Sequence, residues 1–550
     1  MAPEEWGDRT ERIVFLGRNP LGDRNPRKGV GVLVIVFENP APFPTVILVE
    51  GFRIMQRLFP RFGAAVSAAL AGILISLSAC NPAPMAPSAA AVSKPHAGKV
   101  LMIAVADPLL AAEVRGRAKA WANRSGAAVT VVDGSAPDAD IAIVSQEGIA
   151  GPASRGELAS VPEAITGNGK SFRWDTLFVP FQTSLVQWGT SIVAVPVAGD
   201  GLVCVYRADR FREPLASKAF REKFGKDLVP PRTWEDIAEI AAVFQQPGRP
   251  SLAPLPSDRT VALAQFFQLA ACYDRAPAAT GTKDGSAARA LSFLIDLDGG
   301  KLEPRLNAPA FAAAYAWFAA TAPYRPATAG DPVVAIGTGS AVVALLTLRE
   351  LAALPRDPKT GAISEAFGMV AVPGTRTFFD AEGKVQEAAG GRNAIPFLGG
   401  AGAFGIVSKK SASTEAAWDF LSDLAGPDGS ASTLSESGIG AGPTRESHLS
   451  AQTGGAIWQR YGFDKARTDE LGAAMQSYAN TGVANPALPL RTPDAGEVFA
   501  ILDAQLRRAA SGQATGPDAA KAAIRDWAAH DAKQNPEQLK DRRRKAAGLE

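Results

Sequence analysis

The sequence predicts an α/β protein folded as at least two lobes. Its 550 residues exceed what one ordinary hydrophobic core organises. Nearly half of them, 47%, are apolar, enough to fill more than one core. From Lys99 onward, short β-rich runs alternate with stretches of helical periodicity, the pattern of parallel strands joined by helical crossovers.

KVLMIAV (99–105) reads as a buried strand, and PLLAAEVRGRAKAWANRSG (108–126) as a helix stopped by Gly126. AAVTVVD (127–133) and DADIAIVS (138–145) read as the second and third strands. Strand, helix, strand at this spacing implies parallel pairing with right-handed crossovers. Open parallel sheets hold ligands beyond the carboxyl ends of their strands, which directs attention to the residues after Val105 and after Val144. Two further strand-like runs flank Gly199-Asp200-Gly201, and PRTWEDIAEIAAVFQ (231–245) opens a helix with Thr233 as N-cap and Asp236 three residues on. Helical spacing recurs at 261–273, 311–322, 414–425 and 495–511.

Composition excludes several functions. Lysine plus arginine (57) nearly balance aspartate plus glutamate (55), and no basic stripe interleaved with aromatics is present, so nucleic acid is not an expected partner. The one basic cluster, Lys540 to Lys545, reads as part of a charged, disordered tail at 531–550. His96, His448 and His530 lack ligand spacing and Cys80, Cys204 and Cys272 form no CxxC pair, so neither a metal nor another cofactor is expected. Two of the cysteines, Cys204 and Cys272, leave a disulfide open.

The most specific local signal starts at Met55. Arg57 and Arg61 precede an apolar stretch from Gly63 to Leu77, which is followed by Leu77, Ser78, Ala79 and Cys80, the parts of a secretory signal. The LSAC tetrad resembles the lipobox of bacterial lipoproteins, which implies a signal peptide at 55–79 and Cys80 as the lipidated residue. The apolar stretch is short for a spanning helix, which needs about 20 residues. Residues 80–98, rich in proline, alanine and serine, read as a tether. Residues 1–54 are expected to be absent from the mature protein.

The order of further motifs resembles the extracellular solute-binding proteins of the maltose-binding type. Ala194-Val195-Pro196, the Gly199-Asp200-Gly201 turn, Tyr206-Arg207 and Asp209 match one run, and Pro231, Thr233, Trp234, Glu235 and Asp236 match a helix start. Gly399, Gly400, Gly405, Ile406, Ser408, Lys409, Lys410, Ser411, Ala417, Phe420 and Leu421 match a glycine-rich strand, turn and helix, with Pro443, Thr444 and Arg445 closing the loop behind it. SGQATGPDAAKAAIRDWA (511–528) is similar to the family's final helix. The resemblance runs from about 99 to 530 and implies a two-lobed periplasmic-binding-protein-like fold with a hinge and an interlobe cleft. The first lobe would comprise 99–196 with 403–450, the second 197–402 with 451–530. It also implies a monomer in the cell envelope that takes a small, carbohydrate-type solute, hands it to the permease subunits of an ABC importer, and is held to the membrane by its lipid.

The candidate ligand residues are Asp107 and Gln146 after the first and third strands, Asp200 in the crossover turn, Trp188 and Trp317 as stacking platforms, Arg349 and Arg445 as anion clamps, and Phe404. Each has a plainer reading beside it: helix capping or turn formation for the aspartates, core packing for the aromatics, surface solvation for the arginines. The sequence departs from the sugar-binding pattern, since the run Gly399 to Phe404 lacks the tryptophan often found there and the segment 339–351 lacks the aromatic residues that often follow. A secreted hydrolase or a solute sensor is the alternative. No GxSxG elbow is present, and the GTGS segment at 337–340 lacks the GK[ST] of a phosphate loop.

Overall fold

The computed structural model describes residues 33–37, 45–49, 94–167, 170–275, 293–297, 302–482 and 486–550. The signal segment and Cys80 lie outside them. The chain divides into two units, Met1–Val92 and Ser93–Glu550. In the first, β1 (Leu33–Phe37) pairs antiparallel with β2 (Thr45–Val49). Everything below concerns the second.

Its first lobe forms around β3 (Val100–Val105), which is parallel to β4 (Ala128–Asp133) on one side and to β5 (Ile141–Val144) on the other. Between β3 and β4 runs α1 (Pro108–Ser125); Asp107 caps its start by accepting the Leu109 N–H at 2.9 Å, and Gly126 ends it at φ 82°. The helix α2 (Gln146–Ser154) follows β5 directly. A hairpin of β6 (Gln187–Trp188) and β7 (Ser191–Ile192) leads into β8 (Val195–Ala198).

The second lobe begins with β9 (Leu202–Arg207). Helices α3 (Trp234–Phe244), α4 (Arg259–Asp274) and α5 (Pro309–Ala320) follow, then β10 (Val343–Thr347), β11 (Phe367–Ala371) and a hairpin of β12 (Thr377–Phe379) with β13 (Val385–Glu387). Thr233 and Asp236 close the expected capping box of α3, the Asp236 N–H donating to Thr233 Oγ1 at 3.1 Å and the Thr233 N–H to Asp236 Oδ2 at 2.9 Å. The chain then returns to the first sheet as β14 (Ala403–Val407), antiparallel to β5 and β8, giving the strand order β4-β3-β5-β14-β8. Helix α6 (Thr414–Ala425) packs on that sheet, and Gly405 makes the close approach possible: a Cβ there would lie 2.5 Å from Leu421 Cδ2.

The second sheet, β10-β9-β11, is antiparallel throughout, and its alternation separates two cores. Val203, Val205, Ala344 and Leu346 face the core shared with the first lobe. Leu202, Cys204, Val343 and Leu345 face a second core built from α3, α4 and α5 together with α8 (Ala495–Ala510) and α9 (Gly516–Asp531). Helix α7 (Lys465–Gly482) precedes these and packs on β11.

Two expectations are corrected here, and one open question is answered. Residues 531–550 are not a disordered tail: α10 (Pro536–Ala546) is capped by Asn535, which accepts the Gln538 N–H at 3.1 Å, and it buries Leu539, Arg543 and Ala546. The tether ends earlier than 98, because His96 is buried, stacks on Trp121 at 5.5 Å between ring centroids and lies 3.2 Å from Asp419 Oδ2. Cys204 in β9 and Cys272 in α4 are both free, buried thiols, each fixed in a different element of the second lobe.

Candidate functional site

The lobes are joined where three segments cross. Gly199 and Gly442 exchange backbone hydrogen bonds of 3.0 and 2.9 Å. A Cβ on Gly442 would collide with the Asp200 carbonyl, so only glycine permits this contact. The third segment is captured by Asp200, whose carboxylate accepts the N–H of Ala401 at 2.5 Å and that of Gly399. Asp200 is only 7% exposed, and burial pushes its pKa up to about 6 although these N–H groups pull it down. Its oxygens are spent on the hinge, which gives it a positioning role where a ligand role was expected.

Between the lobes lies a cleft of about 660 Å³. The first lobe contributes Ser145, Glu147 and Gly148, from the carboxyl end of β5 and the start of α2. The second contributes Arg259 from the start of α4 and Thr492, Gly496 and Glu497 from the start of α8. The two sides approach closely, since a Cβ on Gly496 would lie 3.9 Å from Glu147 Oε2. Burial raises the Glu147 pKa above its ordinary value; Arg259 acts against this and Asp258 adds to it. Glu147 and Glu497 can accept hydrogen bonds from hydroxyl or ammonium groups, and Arg259 can donate to hydroxyl or carboxylate oxygens. No aromatic ring lines this cleft among the described residues.

At the hinge side, Arg349 of the second lobe pairs with Asp107 of the first and also donates from Nε to the Ile439 carbonyl at 3.0 Å. Asp107 thus does two things at once, capping α1 with one oxygen and holding the opposite lobe with the other. Gln146, at the start of α2, is 1% exposed, and neither atom of its amide has a hydrogen-bond partner among the described residues. Trp188 stands apart from the cleft, half-buried beside α10, where it lines a second interlobe cavity with Arg155, Glu537, Asp541 and Lys545.

Two candidates are excluded from solute contact in this structure by their packing, and a third, partly buried, is engaged within the second lobe. Phe404 is fully buried in β14 and stacks on Phe181 at 6.2 Å between centroids. Arg445 is also fully buried: it donates to the carbonyls of Arg173 and Ala425, each at 2.8 Å, and to Thr176 Oγ1 at 2.9 Å, and lies 4.8 Å over the Phe172 ring. Trp317 belongs to an aromatic cluster of the second lobe and donates its Nε1–H to the Trp234 carbonyl at 3.0 Å. Glu147, Arg259, Thr492 and Glu497 were missed. Glu147 alone carried a legible signal, three residues beyond Val144 at a strand's carboxyl end. Asp494, His530 and Asp531 also meet in space, with Asp494 3.0 Å from His530 and Asp531 paired to Arg543 at 2.7 Å, a grouping their spacing conceals.

With this geometry, the comparisons with known proteins are consistent. The family model of bacterial extracellular solute-binding proteins matches residues 119–461, more than half of the chain, and the chain belongs to that family. Members of the family are binding proteins, and the family is extracytoplasmic. Among solved structures, an ABC transporter solute-binding protein from Agrobacterium radiobacter K84 in complex with ribitol is similar at TM-score 0.54 and 17% identity, covering 79% of this chain and 99% of that one. A maltose-bound protein of T. maritima is similar at TM-score 0.52 and 16% identity, covering 78% and 100%. A solute-binding protein from Agrobacterium vitis S4 with bound D-mannitol gives TM-score 0.52 and 15% identity, covering 79% and 99%. At these identities the likeness establishes the two-lobed fold. No curated protein sequence matches the chain significantly. No helix among the described residues is long and apolar enough to cross a membrane.

Proposed function

We propose that the chain is the lipid-anchored receptor of an ABC importer and closes its lobes on a hydroxyl-rich solute, releasing it unchanged. The observation that carries this reading is the cleft in which Glu147 of one lobe faces Arg259 and Glu497 of the other. A solute bridging these groups contributes affinity only when the lobes are together, so binding favours closure. The polar, ring-free lining favours an acyclic polyol over a pyranose stacked on an aromatic face. Ribitol and mannitol in two of the similar structures support the same class. Cys80, with its LSAC setting, supplies the anchor, and residues upstream of it are removed.

The test is a thermal-shift and calorimetric screen of the chain from Lys99 onward against polyols, monosaccharides, oligosaccharides and amino acids. A ligand of the folded state raises the melting temperature. Saturable binding of a polyol, weakened in Glu147→Gln, is the expected result. Indifference to every solute, or turnover of a chromogenic substrate, would overturn it. Intact mass of membrane-extracted protein checks the anchor, the expected species beginning at a diacylated Cys80.

A further inference from the structure

In the second lobe, apart from the cleft, a cavity of about 30 Å³ is walled by Trp234, Gln265, Trp317, Phe318, Arg325 and Leu345, among others. Arg325 is 9% exposed and forms no ion pair among the described residues. Among the described residues its one side-chain hydrogen bond goes to a neutral hydroxyl, Thr321 Oγ1, at 3.2 Å, and its Nε–H has no acceptor. Trp234 is 1% exposed, and its Nε1–H has no acceptor either. Trp317, the other indole in this wall, is satisfied by the Trp234 carbonyl. Two orphaned donors, one of them cationic, therefore stand on the walls of a single small cavity.

A buried donor without an acceptor is costly, and here two of them border the same cavity. The guanidinium lies 5.5 Å from the Trp317 ring centre and 5.3 Å from that of Phe318, and these ring faces offset part of its charge. Water would satisfy the two donors and leave the charge as it is. Burial lowers the Arg325 pKa to about 10, so the group is still cationic at neutral pH.

We infer that this cavity binds a single halide-sized anion, chloride in ordinary buffers, through Arg325 Nε–H and Trp234 Nε1–H. The size sets the class. A water needs about 10–15 Å³, so a cavity of about 30 Å³ has room for two or three bodies of that size and is far too small for a solute fit for the cleft of about 660 Å³. Trp234 opens α3, and Arg325 follows the end of α5, so the anion joins two helices that otherwise meet only through side-chain packing and the Trp317 hydrogen bond.

Two measurements on the full chain test this. Thermal unfolding is followed at constant ionic strength while sodium chloride replaces sodium gluconate, and crystals grown in sodium bromide are measured at the bromine edge. The expected results are a saturable rise in melting temperature with chloride and an anomalous peak within hydrogen-bond distance of Arg325 Nε. Arg325→Met should abolish the chloride-dependent rise whatever its effect on the baseline. Trp234→Phe keeps most of the ring and removes one donor, and should weaken the chloride midpoint about tenfold. Equal melting temperatures in chloride and gluconate, a cavity without a bromide peak, or an unchanged midpoint in Trp234→Phe would overturn the assignment.

Discussion

Replacing Arg349 by glutamine removes two contacts that exist only while the lobes are together: the ion pair with Asp107 and the hydrogen bond to the Ile439 carbonyl. The side chains are 42% and 34% exposed, so the pair is worth ~0.2–1 kcal/mol. The guanidinium–carbonyl bond adds about as much, ~1 kcal/mol at a half-exposed position. Together they amount to ~1–2 kcal/mol, a factor of about 5–30 in the balance between closed and open forms. Small-angle scattering of the ligand-free chain at low salt should show a larger radius of gyration for the variant. If the closed form is the one that retains solute, apparent affinity should fall by the same factor. Asp107→Asn keeps an acceptor for the Leu109 N–H while removing the charge, so it should shift the radius in the same direction. At ~1 M salt, where the Debye length is about 3 Å, wild type and Asp107→Asn should converge. Identical scattering and affinity for wild type and Arg349→Gln at low salt would refute the reasoning.

Four more outcomes follow from the packing. Phe404→Ala should cost ~3–5 kcal/mol in urea unfolding, and a loss of solute affinity without loss of stability would contradict its place in the core. Arg445→Met removes three hydrogen bonds of a fully buried guanidinium, to the Arg173 and Ala425 carbonyls and to Thr176 Oγ1, and at ~1 kcal/mol each should cost ~3 kcal/mol by the same assay. Asp200 binds its proton more tightly when folded, so its contribution is fully present below pH 3.8 and is lost as the pH rises through about 6. The loss is about 3 kcal/mol at most, and the stability difference between wild type and Asp200→Asn should change sharply between pH 4 and 6.5 if this is right. Deleting α10 by ending the chain at Lys533 uncovers the buried faces of Trp527 and Leu490 and should lower the melting temperature, an unchanged value showing the helix to be dispensable.

The strands and most helices were legible because their signals are local. Thr233 and Asp236 announce α3 within four residues, and Gly126 ends α1 where the periodicity stops. Burial of Phe404 and Arg445 was not legible, because a strand residue can face core or cleft depending on its neighbours, and Arg445 is held by a carbonyl and a hydroxyl more than two hundred residues away as well as by one carbonyl nearby. The cleft was half readable. Ser145 and Glu147 follow from a strand end, whereas Arg259, Thr492 and Glu497 join them only when distant segments fold together. The error at the C-terminus has a specific cause. Eleven residues dense in charge have little apolar content to mark a helix, yet Asn535-Pro536 is a sound start signal and three buried side chains suffice to dock it.

That docked end touches both sides of the molecule. The Gly189 N–H donates to the Lys545 carbonyl at 2.7 Å in the first lobe, while in the second Arg543 donates to the Leu302 carbonyl at 3.0 Å and Arg491 to that of Ala546. A purification tag fused behind Glu550 would therefore emerge beside the β6–β7 hairpin, pulling on a piece that must slip or bend whenever the jaws part. Affinities measured on such fusions would report the handle along with the receptor, and a handle ahead of Lys94 avoids that load.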